Sequence, residues 1–549
     1  MDRDNRVLGA MRAPKLEVAL RIILLATTIL VPLIIMRAKS ATYDEVVHLP
    51  AGFSYLTTGL VKLNAQHPPL IKEICALPLL LLHPSRVIDR KTLENHTVSP
   101  SDEWEYGRKF LFSQDADRLL YWGRVPAVLL SLGLAGLILI WARRLWGGPS
   151  SLLALALYAF DPTITAHSQL VATDVGLAFF ATLFLFALRE YFQKPSPKQL
   201  VLVGGALGLA MGAKFSAVIL VPIATVIMLL VAATGLHCKF NGGAPNSQTR
   251  TPLATGRGKR FISAVAAITI MITIALLVVW AIYLFPSDPF IYLKGLRLVN
   301  QDHDPNFSYY LMGMLKPGGW SGYFFVAWLV KTPIPALLLF MLSVGFFLTG
   351  RRAMWLDEVF LIVPALAFFV GYSLTADNIG FRYLIPCFPF VAIFTSRILS
   401  EAVTCRLVPK IVLAAMLSWY VVEFLSIYPD HLSYFNQIAG GYHRGPEWLD
   451  DSNVDWGQGL IQLREYLQTQ KLTTYSLCYF GSADPEYYGI PKRNVTDEMS
   501  LPPPHGRTLI LSGHYVARAR ALAPSFAQSW ILHTAPRAVV GHAYYIYGP

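Results

Sequence analysis

Long apolar blocks recur through most of this sequence, and they constrain its fold more than any other feature. Crossing the hydrocarbon core of a membrane takes roughly 20 consecutive apolar residues. Hydrophobic residues make up 54% of the 549-residue chain and charged residues only 15%, whereas soluble domains carry about 25% charged residues. This composition excludes a cytosolic enzyme, a nucleic-acid-binding protein and a disordered scaffold.

We therefore expect an all-α polytopic membrane protein with about eleven transmembrane helices. The expected spans are residues 16–36, 119–141, 149–160, 171–188, 199–213, 215–236, 261–285, 323–349, 357–376, 383–400 and 410–427. Residues 74–82 are apolar but too short to span, so we expect a helix that lies on the membrane surface.

The basic residues indicate how the chain is inserted. The formal net charge is +12, and Lys and Arg concentrate in alternate loops, as in the cytoplasmic loops of membrane proteins. The basic loops, which we expect on the same side of the membrane as the N-terminus, are residues 142–148, 189–198, 237–260, 350–356 and 397–410. The opposite loops are residues 37–118, 161–170, 286–322 and 377–382. The pattern predicts a cytoplasmic N-terminus and an extracytoplasmic C-terminal region.

Two domains are expected. Residues 1–427 form the transmembrane domain, whose first outer loop is 37–118, and residues 428–549 form a small extracytoplasmic α/β domain. The second domain has a predicted helix at Trp456–Leu467. Its strand-like runs are Tyr475–Phe480, Thr508–Leu511 and Ala538–Tyr547. Five scattered cysteines without a CxxC pair argue against a disulfide framework or a thiolate metal site.

The polar residues that suggest chemistry lie at the outer ends of the spans. Asp44 and Glu45 follow the first span, and in a helix His48 shares a face with Asp44. A carboxylate there suits a general base for an acceptor hydroxyl, although a solvated loop pair is the simpler alternative. Asp174 opens the fourth span, with Asp161 in the loop before it. A favourable interaction with the helix dipole would also explain Asp174.

Several cations sit on the same side, against the positive-inside bias. Arg124, Lys214 and Arg382, with Lys331 as a weaker member, could hold a lipid-linked phosphate. Snorkelling to lipid headgroups is the alternative for each of them.

The motifs occur in an order that resembles a known family. After the acidic pair come HPPL at 67–70, Thr173-Asp174, GLAMGAKFSAVILVP at 208–222 and FRYLIP at 381–386. Together they resemble the GT-C glycosyltransferases that include protein O-mannosyltransferases and the lipid A aminoarabinose transferase. They are most similar to bacterial phospholipid-carrier-dependent glycosyltransferases of family 39, which implies a bacterial inner membrane with the C-terminal domain in the periplasm. The C-terminal runs HLSYFNQIAGG, DSNVDWGQGL and YFGSADPEYYGI are similar to the same bacterial subgroup.

The resemblance implies a GT-C fold with a cavity at the outer membrane face and an inverting hexosyl- or pentosyltransferase. The donor would be a polyprenyl- or dolichyl-phosphate sugar, and the acceptor a protein, glycan or lipid. By resemblance, Asp44 is the general base, Glu45 positions the acceptor or its loop, and Asp174 is a second acidic position.

The resemblance also implies roles for other residues. Three cations match basic positions that the family has near the donor phosphate or in the cavity wall: Arg124, Lys214 and Arg382. Further candidates for acceptor contacts or the cavity wall are His48, Asp161 and Tyr383. His67 replaces the Lys that precedes the two prolines in the aminoarabinose transferases, which weakens its case as a phosphate ligand, because a neutral imidazole is a poorer anchor than an ammonium.

No cofactor is required by this chemistry. Asp44, Glu45 and Asp174 could bind a divalent metal, but a sugar phosphate already carries a good leaving group, so we expect none. The C-terminal residues Asp451, Asn453, Asp455 and Trp456 either contact the acceptor or start a helix, and we interpret them as helix-start residues.

Two other classes of protein remain as alternatives. A polytopic transporter or lipid flippase predicts internal inverted repeats and charges at mid-membrane, and the sequence has neither. A non-catalytic assembly protein would not need Asp44.

Overall fold

The computed structural model describes residues 2–95, 98–235, 256–302, 304–349, 355–400, 407–496, 508–523 and 530–548. Much of the predicted basic loops 237–260, 350–356 and 397–410 lies outside the described residues, as do Cys238 and Cys405. The other three cysteines are buried.

Each predicted apolar block forms a helix. Without water to satisfy backbone N–H and C=O groups, a long apolar run has no better alternative. The helices are Asp2–Ile35, Ala116–Trp146, Gly148–Ala159, Thr173–Gln193, Pro197–Ala213, Leu220–Thr234, Arg257–Ile282, Tyr323–Lys331, Ile334–Thr349, Trp355–Thr375, Phe388–Thr395 and Leu407–Ser426. Two 3₁₀ turns, Phe215–Ile219 and Phe381–Cys387, lead into helices of this set.

Seven of the described helical segments are long and apolar enough to cross a membrane. They are Lys15–Ala38, Ala116–Trp146, Thr173–Gln193, Phe215–Thr234, Arg257–Ile282, Leu356–Thr375 and Phe381–Leu399. The all-α membrane bundle is therefore confirmed. The count of about eleven spans stays a prediction, because helices such as Gly148–Ala159, with 12 residues, and Pro197–Ala213, with 17, are short.

The block at residues 323–349 departs from the single straight span that its composition predicts. It is divided into two helices, Tyr323–Lys331 and Ile334–Thr349, with a bend of 113° between them. Pro333 and Pro335 lie at this break, and neither can supply a backbone N–H to continue a helix. The first helix ends beside the C-terminal region, since Lys331 Nζ donates to the carbonyls of Leu432 at 2.8 Å and Asn453 at 2.7 Å.

The first outer loop is mostly helical. Its helices are Glu45–Thr58, Leu70–Leu82, Arg90–Asn95 and Pro100–Phe112. The segment expected to be a surface helix, 74–82, belongs to the second of these, and its position on a membrane stays a prediction. The later outer loop contains the helix Ile291–Asp302 and a hairpin, β1 (Ser308–Leu311) and β2 (Met314–Pro317).

The C-terminal region contains the predicted small sheet. Its strands are β3 (Tyr475–Cys478), β4 (Thr508–Ser512), β5 (Ala538–Val540) and β6 (Tyr544–Tyr547), in the order β3-β4-β6-β5. Strands β3 and β4 are parallel and the other pairs antiparallel. Its described α-helices are Gly445–Trp448, Leu460–Thr469, Gly513–Leu522 and Trp530–His533.

Two predicted elements of this region differ in detail. The run 538–547 is a hairpin instead of one strand, because Gly541 and His542 adopt positive φ values of 58° and 53° and turn the chain. The helix begins at Leu460 instead of Trp456, after Gly457 with φ of 86°.

The C-terminal region is joined to the first outer loop by backbone hydrogen bonds. Ser40 N–H donates to the Gln458 carbonyl at 3.1 Å, and Tyr43 N–H donates to the Trp456 carbonyl at 2.9 Å. The domain boundary at 427/428 stays a prediction, although the last apolar helix ends beside it, at Ser426.

Glycines allow the helices Pro197–Ala213 and Arg257–Ile282 to approach closely. A Cβ atom on Gly204 would lie 2.9 Å from the Met271 carbonyl oxygen, and one on Gly208 would lie 2.7 Å from that of Ala275. These glycines form a small-xxx-small stripe, which lets membrane helices pack backbone to backbone. Gly205 faces away, and a Cβ atom added there would have no neighbouring atom within 4 Å among the described residues.

We expect Gly204→Ala and Gly208→Ala to lower the unfolding temperature of the detergent-purified protein, because the added methyl group meets backbone that cannot move aside. Gly205→Ala is the matched control, and it should be neutral or stabilising, since Ala favours a helix over Gly by about 1 kcal/mol. Thermal unfolding measures all three. Equal unfolding temperatures for Gly204→Ala and Gly205→Ala would contradict the close helix contact.

Candidate active site

Four charged side chains from four distant segments meet at the end of the bundle that carries the predicted outer loops. Arg382 Nη1 donates to Asp44 Oδ2 at 2.9 Å and lies 3.8 Å from Asp174 Oδ2. Lys214 Nζ donates to Asp174 Oδ1 at 2.6 Å. We call Asp44, Asp174, Lys214 and Arg382 the four-charge centre. The structure thus brings together both acidic positions and two of the three cations predicted from the sequence.

Local structure places each member at the end of an element. Asp44 immediately precedes the helix Glu45–Thr58, and Asp174 lies in the first turn of Thr173–Gln193, where a negative charge is favoured by the helix dipole. Lys214 directly follows the helix Pro197–Ala213, and Arg382 lies in the 3₁₀ turn Phe381–Cys387.

The two carboxylates of the centre differ in exposure. The Asp44 side chain is 19% exposed, whereas that of Asp174 is 1% exposed. Asp44 accepts from Arg382 through Oδ2 only, and its Oδ1 has no hydrogen-bond partner within the described residues. Asp44 is therefore the carboxylate that a molecule from outside can reach, and Asp174 holds the cations.

An aromatic ring packs against each of the two cations. The Arg382 guanidinium lies 4.2 Å from the centre of the Trp456 ring, and Lys214 Nζ lies 4.5 Å from the centre of the Tyr383 ring. Such cation–π contacts are stabilising when they are desolvated. Tyr383, predicted as a wall residue, therefore lies beside the centre. Trp456 also lies beside the centre. In the sequence it belongs to the motif DSNVDWGQGL.

The interpretation of that motif as a helix start is wrong. Asp451–Asn453 is a single 3₁₀ turn, and the next helix begins only at Leu460. Asn453 ties the motif to the bundle, since its Oδ1 accepts from Phe381 N–H and its Nδ2 donates to Tyr323 Oη, both at 2.8 Å. The motif therefore supports the backbone next to Arg382.

Glu45, the neighbour of Asp44, has a different environment. It is fully buried and forms a bidentate pair with Arg124, at 2.8 and 2.7 Å. It also accepts from the backbone N–H groups of Thr42 at 2.9 Å and Val171 at 3.0 Å. Burial by itself raises the pKa of Glu45, but the guanidinium and these hydrogen bonds outweigh burial and hold the pKa below its ordinary value.

Arg124 uses all five of its N–H donors inside the protein. Besides Glu45, it donates to the carbonyls of Met36 and Lys39 at 3.0 Å and of Ser40 at 2.8 Å. With every donor occupied, it has none to offer a phosphate in this arrangement. Its contacts fix the path of the chain between the first span and Asp44.

Two histidines flank the centre in their neutral form. His48 Nδ1 lies 3.0 Å from the Val171 carbonyl, and the rings of His48 and His67 are 5.4 Å apart. Burial lowers the pKa of His48 to about 4 and that of His67 well below its ordinary value. His67 therefore brings no positive charge to a phosphate at neutral pH.

Asp161 lies apart from the four-charge centre. It caps the helix Pro162–Ser168 by accepting from Ile164 N–H at 2.9 Å, and Tyr420 Oη lies 3.4 Å from its Oδ2. Burial raises its pKa to about 7. The predicted acceptor contact by Asp161 stays a prediction.

The arrangement places a partly exposed carboxylate next to paired cations. Among the described residues, no group of three or more His, Cys, Asp or Glu side chains is arranged to hold a metal ion. Asp44 and Asp174 instead face Arg382 and Lys214.

We expect Glu45→Gln to lower the free energy of unfolding by about 3–5 kcal/mol, because it leaves the buried Arg124 charge without a counterion. Asp44→Asn, one residue away and partly exposed, is the matched control and should unfold close to the parent temperature. Thermal unfolding of purified protein distinguishes the two.

The same comparison depends on pH with a definite sign. A carboxylate whose pKa is lower in the folded state stabilises the fold above its unfolded pKa and loses that effect as pH falls through the folded pKa. The stability difference between the parent and Glu45→Gln should be full above about pH 5.5 and shrink on acidification. A difference that grows below about pH 4 would contradict the assignment.

Sequence comparison gives a family match in part of the chain. Residues 120–240 match the family model described as dolichyl-phosphate-mannose-protein mannosyltransferase. The matched segment includes Arg124, Asp161, Asp174 and Lys214. No curated protein sequence matches the chain at a significant level.

Three solved structures show a likeness at low identity. ArnT from Cupriavidus metallidurans bound to undecaprenyl phosphate is 14% identical, with 96% of this chain and 99% of that chain covered and a TM-score of 0.48. The oligosaccharyltransferase AglB from Archaeoglobus fulgidus is 11% identical, with coverage of 92% and 70% and a TM-score of 0.43. The S. cerevisiae protein O-mannosyltransferase complex bound to its sugar donor is 16% identical, with coverage of 54% and 39% and a TM-score of 0.35. The family match confirms the resemblance carried by the sequence motifs: over residues 120–240, this membrane protein is similar to the dolichyl-phosphate-mannose-protein mannosyltransferases.

Proposed function

We propose that this protein transfers a hexose or pentose from a polyprenyl-phosphate donor to an acceptor hydroxyl on the extracytoplasmic face of the membrane, with inversion at the sugar. The observation that carries the proposal is the partly exposed carboxylate of Asp44, held by Arg382 within a centre of paired charges. The family model supports the donor class, since its description names a dolichyl-phosphate sugar.

Asp44 is the general base in this proposal. Its Oδ2 is fixed by Arg382, while the free Oδ1 accepts the proton of the acceptor hydroxyl. A positioned base of this kind contributes typically about 10²–10⁴-fold to a rate.

The bonds change in one displacement. The acceptor oxygen attacks the anomeric carbon from the face opposite the phosphate and forms the new C–O bond with its lone pair. The hydroxyl proton passes to Asp44. The electrons of the broken bond leave on the phosphate oxygen, so the products are the glycosylated acceptor and polyprenyl phosphate.

The other members of the centre orient the base. Asp174 fixes Lys214 directly and lies beside Arg382, and Arg382 in turn fixes Asp44. The buried pair of Glu45 and Arg124 sets the backbone that carries Asp44. We therefore assign Arg124 a positioning role, in place of a direct contact with the donor phosphate.

No metal takes part in the proposed reaction. The phosphate is a good leaving group, and cations of the protein are available to offset the charge that develops on it. Of the three carboxylates that could bind a divalent metal, Asp44 and Asp174 face Arg382 and Lys214, and Glu45 is enclosed with Arg124.

We expect Asp44→Asn to lower sugar transfer by about 10²-fold or more, because the amide cannot accept the hydroxyl proton. The measurement is transfer or donor hydrolysis from a panel of polyprenyl-phosphate sugars by protein reconstituted in lipid. The configuration of the product, determined by NMR, checks inversion. The same assay in EDTA should retain activity.

Asp484→Asn serves as the control, because Asp484 is a carboxylate of similar exposure, 26% against 19% for Asp44, in the C-terminal region. Parent-level activity in Asp44→Asn would remove Asp44 as the base and direct attention to Asp174. Absence of turnover with every donor, in folded protein, would favour the transporter or the assembly protein.

A further inference from the structure

A cavity in the C-terminal region lies apart from the four-charge centre. Its volume is about 420 Å³, within the usual range for sites that hold a small organic molecule. It lies between the helices Gly513–Leu522 and Trp530–His533, the strands β5 and β6, and the short helix Gly445–Trp448. Its lining residues all belong to the C-terminal region and include no member of the four-charge centre. The proposed transfer reaction therefore leaves this cavity without a role.

The charge beside the cavity is positive. Arg520 lines the cavity with a side chain that is 34% exposed, and its Nη1 lies 3.5 Å from Glu447 Oε1. Glu447 is shared, because its Oε2 also accepts from Arg444 Nε at 2.8 Å. One carboxylate thus faces two guanidinium groups, which leaves one positive charge in excess. Since no Asp or Glu is among the described residues that line the cavity, the cavity favours an anionic ligand.

A buried hydroxyl group in the cavity wall has no partner. Tyr545 lies on β6, is 4% exposed and lines the cavity. Its Oη forms no hydrogen bond with any residue that the structure describes. Burial raises the pKa of Tyr545, and the nearby Arg520 guanidinium acts in the opposite sense without cancelling the rise. The hydroxyl is therefore protonated at neutral pH. Because a buried donor is costly to leave unpaired, an acceptor atom of a ligand in the cavity would stabilise it.

The other walls suit a molecule of the size and polarity of a sugar. One part of the lining is apolar and includes Val516 and Ile531. Another part consists of groups that form hydrogen bonds, namely the Thr534 hydroxyl and the imidazoles of His443 and His533. A sugar ring has both kinds of surface, because its faces present C–H groups and its edge presents hydroxyl groups. The mixed lining thus accommodates a sugar ring next to the charged group.

We propose that this cavity is a second binding site, which takes an anionic sugar and holds its carboxylate or phosphate with Arg520 and Tyr545. Arg520 supplies the positive charge, and Tyr545 supplies a hydrogen-bond donor for the same anionic group; such charge-assisted bonds are the strong ones. The inference does not depend on the transferase function, since the described lining residues are separate from Asp44 and its partners.

The test measures binding of glucose 6-phosphate and of glucuronate to the full-length protein in nanodiscs, by isothermal titration calorimetry. The parent should bind at least one of these anions, and Arg520→Gln should weaken that binding tenfold or more. Arg493→Gln is the control, because Arg493 is an exposed arginine of the same region that does not line the cavity. Unchanged affinity in folded Arg520→Gln, or absence of binding of both anions to the parent, would overturn the inference.

A pair of tyrosine variants tests the hydroxyl group by itself. Tyr545→Phe removes only Oη and should weaken binding about tenfold, because the lost hydrogen bond is to a charged group. Tyr544→Phe is the matched control, since the Tyr544 hydroxyl is also buried without a partner in the described part of the chain, but Tyr544 does not line the cavity. Thermal unfolding of both variants should match that of the parent. An equal loss of affinity in the two variants, or a loss in neither, contradicts the role of Tyr545.

Two further ligands establish what the site recognises. Glucose has the ring without the charge, and inorganic phosphate has the charge without the ring. Each should bind the parent at least tenfold more weakly than glucose 6-phosphate or glucuronate, whichever binds more tightly. Glucose bound as tightly as that anion would refute the anionic ligand, and inorganic phosphate bound as tightly would refute the sugar.

Discussion

The buried ion pair of Glu45 and Arg124 is the interaction on which the rest of the site depends. Arg124 reaches from the second membrane helix to three backbone carbonyls at the end of the first, so it fixes where the chain leaves the bundle. Asp44 is the next residue before Glu45. Because a buried charge is strongly destabilising without its partner, the pair stabilises this arrangement of the segment.

The C-terminal region also holds the segment before Asp44 in place. The backbone bonds that Ser40 and Tyr43 form with Gln458 and Trp456 carry the motif DSNVDWGQGL to the same place. The Trp456 ring covers one face of the Arg382 guanidinium. A guanidinium held by its face keeps its N–H edge for carboxylates, so Arg382 is fixed toward Asp44 and Asp174.

Much of this organisation could be predicted from the sequence, for physical reasons. Apolar runs of span length leave helix as the only backbone solution in a membrane, so every predicted block is helical. The rarity of ionisable groups near membrane helices made Asp44, Asp174, Lys214 and Arg382 stand out. Tertiary partners could not be predicted in the same way. The sequence marks both Arg124 and Lys214 as candidate phosphate ligands. In the structure, however, Arg124 is enclosed with Glu45, whereas Lys214 pairs with Asp174.

Two predictions were wrong because they relied on local sequence without tertiary contacts: the helix start at residues 451–456 and the single span at 323–349. Asp451 and Asn453 are common helix-start residue types, but the glycines that follow and the contacts with Phe381 and Tyr323 decide their structure. The block at residues 323–349 has the composition of one span, while Pro333 and the bonds of Lys331 to the C-terminal region divide it.

The contact between Trp456 and Arg382 also has a consequence for biosynthesis. Asp44 and Arg382 are separated by 338 positions in the chain, and Trp456 follows them both. A ribosome adds about 5–20 residues per second, so Asp44 leaves the ribosome tens of seconds before its partners exist. The four-charge centre therefore cannot assemble until the chain has grown past Arg382. Its support by the Trp456 ring forms only after the helix Leu407–Ser426 has also been made.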